Sequence, residues 1–337
     1  MSYQVRIEDT DHAFNVDEGE SVIDAALRSG LMLPYSCRNG TCGTCKGELV
    51  EGAIAYPDGL PPAIDASEDA AGKALFCQAR ASSDLVIRVQ EVREAGDIIP
   101  QRLPARVEQI DDLAPDVRRI FLKLPRDKHL SFLAGQYLDI LLRGGQRRSY
   151  SLGNAPREDG LLELHVRHLP GGVFSEYAFT TMQPGALLRF EGPLGNFFLR
   201  EDSDRPMILM GGGTGFSPVK GIVERALQVG TTRPMHIYWG ARAEPDLYLN
   251  QLPRQWAEQH GAIDYTPVLS EPASDGDWAG ATGFVHHQVL ADHPDLSGFD
   301  VYMSGPPPMI HAARDEFTAA GLPADRLFYD SFEAGGD

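Results

Sequence analysis

Cysteine is scarce in this chain, with four residues among 337. A small secreted scaffold stapled by disulfides needs far more of them in far less chain, so disulfide stapling is set aside. Long apolar runs are missing too: nowhere do 18 apolar residues follow one another. The opening stretch, Met1 to Asp9, alternates polar and apolar residues without a basic leader or an apolar run. A membrane-spanning helix and a secretory signal are therefore not expected, and a soluble cytoplasmic protein is. Positive charge is in deficit, with 30 Lys and Arg against 48 Asp and Glu and a net charge of −18. Nucleic acid is excluded as a partner, because phosphate binding needs clustered cations to displace counterions. Internal repeats and low-complexity tracts are absent as well.

The length suits two or three domains, and 42% hydrophobic residues are enough to give each a core. Charge is spread unevenly along the chain. Residues 1–95 hold 16 acids and 8 bases, residues 96–203 hold 14 of each, and residues 204–337 hold 18 acids and 8 bases. The neutral middle third is the part suited to an anionic cofactor. The acidic first third is either a docking face for a basic redox partner or a solvated surface.

Three of the four cysteines fall within nine residues, in the run Cys37-Arg-Asn-Gly-Thr-Cys42-Gly-Thr-Cys45, and Cys77 follows after a gap of 31. The C-x4-C-x2-C spacing with a distant fourth thiolate is the plant-type [2Fe-2S] ligand pattern, which proposes one-electron transfer at roughly −400 mV. Structural zinc usually takes two C-x2-C pairs and finds only one here. Between the ligands, Gly40, Thr41, Gly43 and Thr44 are small enough to let backbone N–H groups turn toward bridging sulfides.

Periodicity divides the remainder into three segments. The first reads as a hairpin, 3–7 with 14–16, then a helix capped by Ser21 and stopped by Gly30, the cysteine loop, and strands at 47–50 and 85–89. A linker is expected at 93–104, where two prolines and a glycine break any pattern, giving domains of 1–95, 104–203 and 204–337 around a linker at 96–103. Short alternating runs at 105–109, 118–124, 137–142, 148–152, 161–167 and 187–191 predict a closed antiparallel barrel. From 207 onward strands and helices alternate: strands at 207–210, 236–239, 264–269, 300–304 and 326–329, helices at 218–227, 284–291 and 309–319. That order predicts a parallel α/β sheet.

Two stretches carry chemistry of their own. Gly211-Gly212-Gly213-Thr214-Gly215, between a strand and a helix, places N–H groups and a helix N-terminus against a pyrophosphate, or else forms a structural turn. Arg148-Ser149-Tyr150-Ser151 puts a fixed cation, an aromatic plane and two hydroxyls on one strand, fit for a flavin, or is an ordinary exposed strand. Gly171-Gly172-Val173-Phe174-Ser175 opens a helical segment and offers a second phosphate contact or a tight turn.

Taken in order, these motifs resemble the ferredoxin–NADP reductase superfamily fused to an N-terminal plant-type ferredoxin domain. Reductase components of bacterial oxygenases and CDP-6-deoxy-glucoseen reductases have this layout. Further matches are Ala134-Gly135-Gln136-Tyr137, Gly192-Pro193-Leu194-Gly195, Tyr238-Trp239-Gly240-Ala241-Arg242 and Gly305-Pro306-Pro307 with Met309. Leu33-Pro34-Tyr35-Ser36-Cys37 and Leu162-Glu-Leu-His-Val-Arg-His168 lean toward the glucoseen-reductase branch.

The resemblance implies a multidomain chain made of an α+β β-grasp ferredoxin, an all-β FAD-binding barrel and an α/β nucleotide-binding domain. It implies a cluster on Cys37, Cys42, Cys45 and Cys77. FAD is implied on Arg148, Ser149, Tyr150, Ser151, His165, Val166, Arg167, Gly172, Val173 and Ser175. A nicotinamide dinucleotide is implied on Gly212, Gly213, Thr214, Gly215, Arg242, Gly305, Pro306 and Met309. Phe332 is the candidate aromatic over the flavin, with core anchorage as its other reading and Phe328 or Tyr329 as substitutes. Trp239 reads as core. The chain departs from the family at Ser304, commonly cysteine beside the nicotinamide, and at Gly153, often alanine.

The expected activity passes electrons from NAD(P)H through FAD and [2Fe-2S] to a partner protein, a deoxysugar dehydrase or an oxygenase component. Ser151 and Ser304 are the residues expected to affect rate. NADH is preferred over NADPH because Glu244 and Asp246 follow Trp239, where acids repel a 2′-phosphate, although Arg242 pulls the other way. A stand-alone flavin or quinone reductase and a non-catalytic iron–sulfur or zinc-binding module are the rival functions.

Overall fold

The computed structural model describes residues 2–94, 96, 98–273 and 277–333, and falls into two compact units. The expected domain ends at Ala95 and Asp337 lie outside the described residues.

The first unit comprises residues 1–100 with 193–196 and 333–337. Its five-stranded sheet runs Ala13–Asp17, Ser2–Ile7, Leu85–Arg88, Lys46–Glu51, Lys73–Leu75, with Ser2–Ile7 and Leu85–Arg88 parallel and the other neighbours antiparallel. Alternation makes the sheet one-faced: Val5 and Ile7 are buried while Gln4 and Arg6 are exposed. Helix Val22–Arg28 covers the apolar face with Val22, Ile23, Ala25, Ala26 and Leu27. Ser21 caps it, its Oγ accepting from Asp24 N at 3.0 Å, and Gly30 ends the turn at φ +76°.

The second unit comprises 101–192 and 197–332. One of its sheets is six-stranded and antiparallel where adjacent pairs are resolved, in the order Arg147–Ser151, Tyr137–Leu141, Leu187–Leu194, Gln101–Ala114, Val117–Lys123, Leu162–Arg167. Its first and last strands meet at a Leu152–Leu164 bridge. Inside it lie Val107, Ile120, Leu122, Leu138, Ile140, Leu164, Val166 and Phe190, each large side chain contributing about 1.5–3 kcal/mol by burial.

Strand Gln101–Ala114 begins three residues before the linker was expected to end. Pro104 had signalled a break, but it pairs only with Arg189, and the opposite neighbour joins from Arg106 onward. A proline on a locally unpaired edge leaves no N–H missing from the ladder.

The other sheet of this unit is wholly parallel, in the order Ala281–Thr282, Ile263–Leu269, Met235–Ala241, Met207–Gly212, Asp300–Gly305, Leu327–Ser331. Strand Met207–Gly212 is buried along its full length, as a central strand covered on both faces must be. Helix Phe216–Gln228 buries Val219, Ile222, Val223 and Ala226 at helical spacing. It starts two residues earlier than expected because Gly213–Gly215 already turns as a 3-10 helix. Pro218 then stands in the first turn, where no intrahelical N–H is required. Helix Gln251–Gln259 escapes sequence reading, since only Pro253 and Trp256 are buried on it. Among the described residues no helix is long and apolar enough to cross a membrane.

Candidate functional site

In the first unit, Cys42, Cys45 and Cys77 are buried and Cys37 is half-buried. The loop bends through three left-handed residues, Arg38 at φ +60°, Gly40 at +81° and Gly43 at +77°. Arg38 has a Cβ and is held in that strained region from both ends. Its guanidinium meets Asp24 Oδ1 at 2.6 Å, and its carbonyl accepts from Gln78 Nε2 at 2.7 Å, next to Cys77. Gly40 has no room for a side chain, because a methyl there would lie 2.8 Å from Pro61 Cβ.

Cys42 N donates to Cys37 Sγ at 3.4 Å. A hydrogen bond from Cys42 holds the Cys37 thiol at about 5, while hydrogen bonding to their partners Cys37 and Cys77, then burial, pushes Cys42 and Cys45 up. So many sulfurs in one buried pocket compete for protons. Cations bound among them remove the conflict, so the donor set fits an iron–sulfur cluster.

In the second unit, strand Arg147–Ser151 alternates its side chains. Ser149 Oγ donates to Asp139 at 2.7 Å, and Ser151 Oγ donates to Asp330 Oδ2 at 2.9 Å in buried surroundings. Tyr150 packs against the core, its ring centroid 5.0 Å from Phe174, and burial pushes its hydroxyl up. Arg148 donates to the Arg147 carbonyl. Gly172 stands at the start of helix Val173–Thr180 with no side-chain cap, and Val173 is exposed. Ser175 is occupied by its own turn, its Oγ bonded to Leu169 N and O and to the Gly172 carbonyl.

Strand Leu162–Arg167 separates three neighbouring candidates by side. Val166 points into the sheet's core with Leu164, so its side chain has no face toward a cofactor. His165 is buried with both nitrogens engaged: Nε2 at 2.8 Å from Glu163 Oε1 and Nδ1 at 3.0 Å from Tyr248 Oη. Burial keeps the ring neutral, so Nε2–H donates to the carboxylate and Nδ1 accepts from the tyrosine, leaving nothing for a ligand. Arg167 differs. Its Nε and Nη2 are buried without hydrogen-bond partners, and the nearest carboxylates, Asp116 and Asp246, stand off at 3.5 and 3.9 Å.

The Arg167 guanidinium carbon lies 4.0 Å from where a Cβ on Gly213 would be. Gly213 opens the uncapped turn before helix Phe216–Gln228. A part-buried guanidinium, loosely ion-paired and with two buried nitrogens lacking hydrogen bonds, beside a helix N-terminus fits an anionic phosphate group. Trp239 fixes that turn: stacked on Phe216 at 3.9 Å, it donates from Nε1 to the Gly213 carbonyl at 2.9 Å.

The remaining glycines of the run answer to packing. A methyl on Gly215 would fall 2.0 Å from the Ser304 carbonyl oxygen, and one on Gly212 would fall 2.5 Å from Met309 Sδ and 3.0 Å from Pro306 Cδ. The turn and the 304–309 loop are thus pressed together. Ser304 Oγ is buried with no partner, and Asp330 is its register neighbour on the last strand. One carboxylate therefore links Ser151 to the strand beside Ser304. Asp330 was not singled out from sequence; its only signal is a lone acid inside an apolar terminal strand.

Phe332 N donates to the Gly305 carbonyl at 3.0 Å, which places Phe332 beside this loop. Phe328 is committed elsewhere, packed on Tyr302 and Arg200, and Tyr329 packs with the Ile208 and Val301 cluster. Arg242 is exposed and only loosely paired with Asp246 at 3.8 Å.

Beneath these residues runs a buried ionic chain missed in the sequence. Lys220 Nζ lies 3.1 Å from Glu163 Oε2, 2.7 Å from Glu224 Oε1 and 2.8 Å from the Gly153 carbonyl. Burial works to raise Glu163, but the hydrogen bond from His165 and the Lys220 charge hold it down at about 2. Gly153 is glycine because a Cβ would lie 2.7 Å from Ser217 Oγ and 3.3 Å from His165 Nε2.

Three family descriptions match the chain in order: a 2Fe-2S iron–sulfur cluster binding domain over 5–82, an oxidoreductase FAD-binding domain over 104–199 and an oxidoreductase NAD-binding domain over 209–315. CDP-6-deoxy-L-threo-D-glycero-4-hexulose-3-dehydrase reductase of Yersinia pestis is 41% identical over 98% of this chain and 99% of its own. Phenol hydroxylase P5 protein of Acinetobacter pittii is 36% identical over 93% and 89%. Among solved structures, the cytochrome P450 reductase GcoB of Amycolatopsis superposes with a TM-score of 0.83 at 34% identity, covering 99% of this chain and 100% of that one.

Proposed function

The chain belongs to the ferredoxin–NADP reductase-like family, among members carrying a 2Fe-2S domain with FAD- and NAD-binding domains, and from that premise we propose how its residues divide the work. It is an NAD(P)H-dependent iron–sulfur flavoprotein reductase that delivers electrons to an acceptor protein. FAD, when bound, would supply the conversion between the two-electron hydride chemistry of a nicotinamide and the single-electron chemistry of a [2Fe-2S] cluster.

Cys37, Cys42, Cys45 and Cys77 hold the cluster on a loop that Arg38 keeps in shape. The antiparallel sheet, read as a barrel, presents Arg148, Tyr150 and Ser151 to the flavin. Arg167 and the Gly213 turn hold phosphate, and the carrying observation is the Arg167 guanidinium with two buried nitrogens lacking hydrogen bonds. Ser151 donates to Asp330, which fixes its rotamer and leaves its oxygen free to accept from a donor in the site. Ser304, buried with an unpaired hydroxyl, supplies the hydrogen bond for the nicotinamide. Catalysis here rests on positioning.

The purified protein should show overlapping flavin and iron–sulfur bands that NADH bleaches without air; a colourless protein would refute the reading. Ser151→Ala with unchanged flavin reduction kinetics would remove that residue's role. NADH is the preferred donor, with Glu244 and Asp246 in the turn after strand Met235–Ala241 disfavouring a 2′-phosphate. A tenfold higher kcat/KM with NADPH would sink that preference.

The acceptor is proposed to be a deoxysugar dehydrase, supported by 41% identity to dehydrase reductases against 34–37% for the oxygenase and demethylase reductases. Rapid oxidation of the reduced protein by an oxygenase component but not by a dehydrase would reverse the assignment. A cytoplasmic setting suits both the nicotinamide supply and thiolate ligands.

A further inference from the structure

The second unit gathers His286, His287 and Glu316, with one donor atom of each lying within 4.8 Å of the others. The histidines sit near the start of helix Val285–Asp292, and Glu316 lies late in helix Pro307–Ala319. Both imidazole Nε2 atoms stand 3.4 Å from one oxygen, Glu316 Oε1. An N–H···O bond favours about 2.9 Å. Two ligands on one tetrahedral ion, bound at about 2.0–2.1 Å, are separated by about 3.3–3.4 Å.

His286 strengthens the case. It is 5% exposed, and its Nε2, the nitrogen facing Glu316, has no closer contact than 3.4 Å. A core histidine is normally fixed by hydrogen bonds at its ring nitrogens, and this one has only the long Glu316 contact. Phe284, 63% exposed, lies nearly parallel to the His286 ring at 5.9 Å between centroids.

We infer that His286, His287 and Glu316 form a metal site distinct from the cysteine set, taking a borderline transition cation such as Zn2+ and leaving a fourth position to water. Two imidazoles select against Mg2+ and Ca2+, which take oxygen ligands. The ion joins the two helices behind the nucleotide end of the parallel sheet. Val285, next to His286, packs where a Cβ on Gly240 would sit, 2.8 Å away, and helix Pro307–Ala319 begins at the loop pressed on Gly212. Binding therefore stabilises the folded state by mass action.

The test titrates ZnCl2 alone into holoprotein whose cysteines are occupied by the cluster, using calorimetry and thermal unfolding. One zinc per chain should bind beyond the cluster iron, and Tm should rise with zinc and not with Mg2+. His287→Ala and Glu316→Gln change exposed side chains, so both variants should fold. Each should weaken zinc binding at least tenfold and abolish the Tm rise. Absence of saturable binding, an equal Mg2+ effect, or loss in only one of the two variants would overturn the site.

Discussion

Replacing Lys220 with methionine removes the cation that Glu163 faces in the second unit. Glu163 has a 2% exposed side chain, with Lys220 Nζ 3.1 Å from one oxygen and His165 Nε2 2.8 Å from the other. Taking one partner from a buried pair costs about 3–5 kcal/mol, because the remaining charge stays desolvated. Burial works to raise Glu163, and the His165 hydrogen bond together with the Lys220 charge holds it well below the ordinary glutamate value, so removing Lys220 takes away one of the two partners that keep it charged.

Urea unfolding followed by tryptophan fluorescence reads this unit alone, since Trp239, Trp256 and Trp278 all lie in it. Lys220→Met should lose about 3–5 kcal/mol. Adding Glu163→Gln, which removes the stranded charge and keeps the hydrogen bond to His165, should recover about half of that. The pH dependence has a definite sign. Glu163 is depressed in the folded state, so its contribution is complete above about pH 4.5 and is lost as pH falls toward about 2. In Lys220→Met the folded value moves up toward the unfolded 4.5, so this loss on acidification should shrink. A single mutant costing under about 1 kcal/mol, or a double mutant no more stable than the single, would refute the reasoning.

Gly215→Ala should prevent native assembly of the nucleotide site, since its methyl meets backbone at 2.0 Å, whereas Gly261→Ala meets nothing within 4 Å and should be neutral by thermal unfolding. Arg167→Gln should weaken retention of FAD or nucleotide about tenfold or more by removing a buried charge-assisted contact, measured by equilibrium dialysis; undiminished retention would exclude Arg167 from the phosphate site. Cys77→Ser should lose the iron–sulfur absorption while flavin binding and NADH-driven ferricyanide reduction persist, because the cysteines and the flavin residues belong to different units. Asp330→Asn should slow flavin reduction by NADH in stopped flow without changing FAD content, as expected of a residue that positions Ser151.

Where local structure depends on residue type and short spacing, sequence was enough. The Cys37–Cys45 run, the Arg148–Ser151 strand and the strand–glycine–helix order are local patterns, because a loop or a turn is built from neighbours along the chain. Hydrophobic alternation placed most strands for the same reason, and Trp239 was read as core. What needed the tertiary structure was any property set by residues distant in the chain. Asp330 reaches Ser151 across 179 positions and Lys220 reaches Glu163 across 57, and no local signal announces either. His165, Val166 and Arg167 are adjacent in sequence, yet one is sealed by hydrogen bonds, one is core and one is a cation with two buried nitrogens left without hydrogen bonds. The glycines at 212 and 215 looked like a phosphate loop and are also required by the strand packed against them. Spacing determines which atoms are available; packing decides which remain free to act.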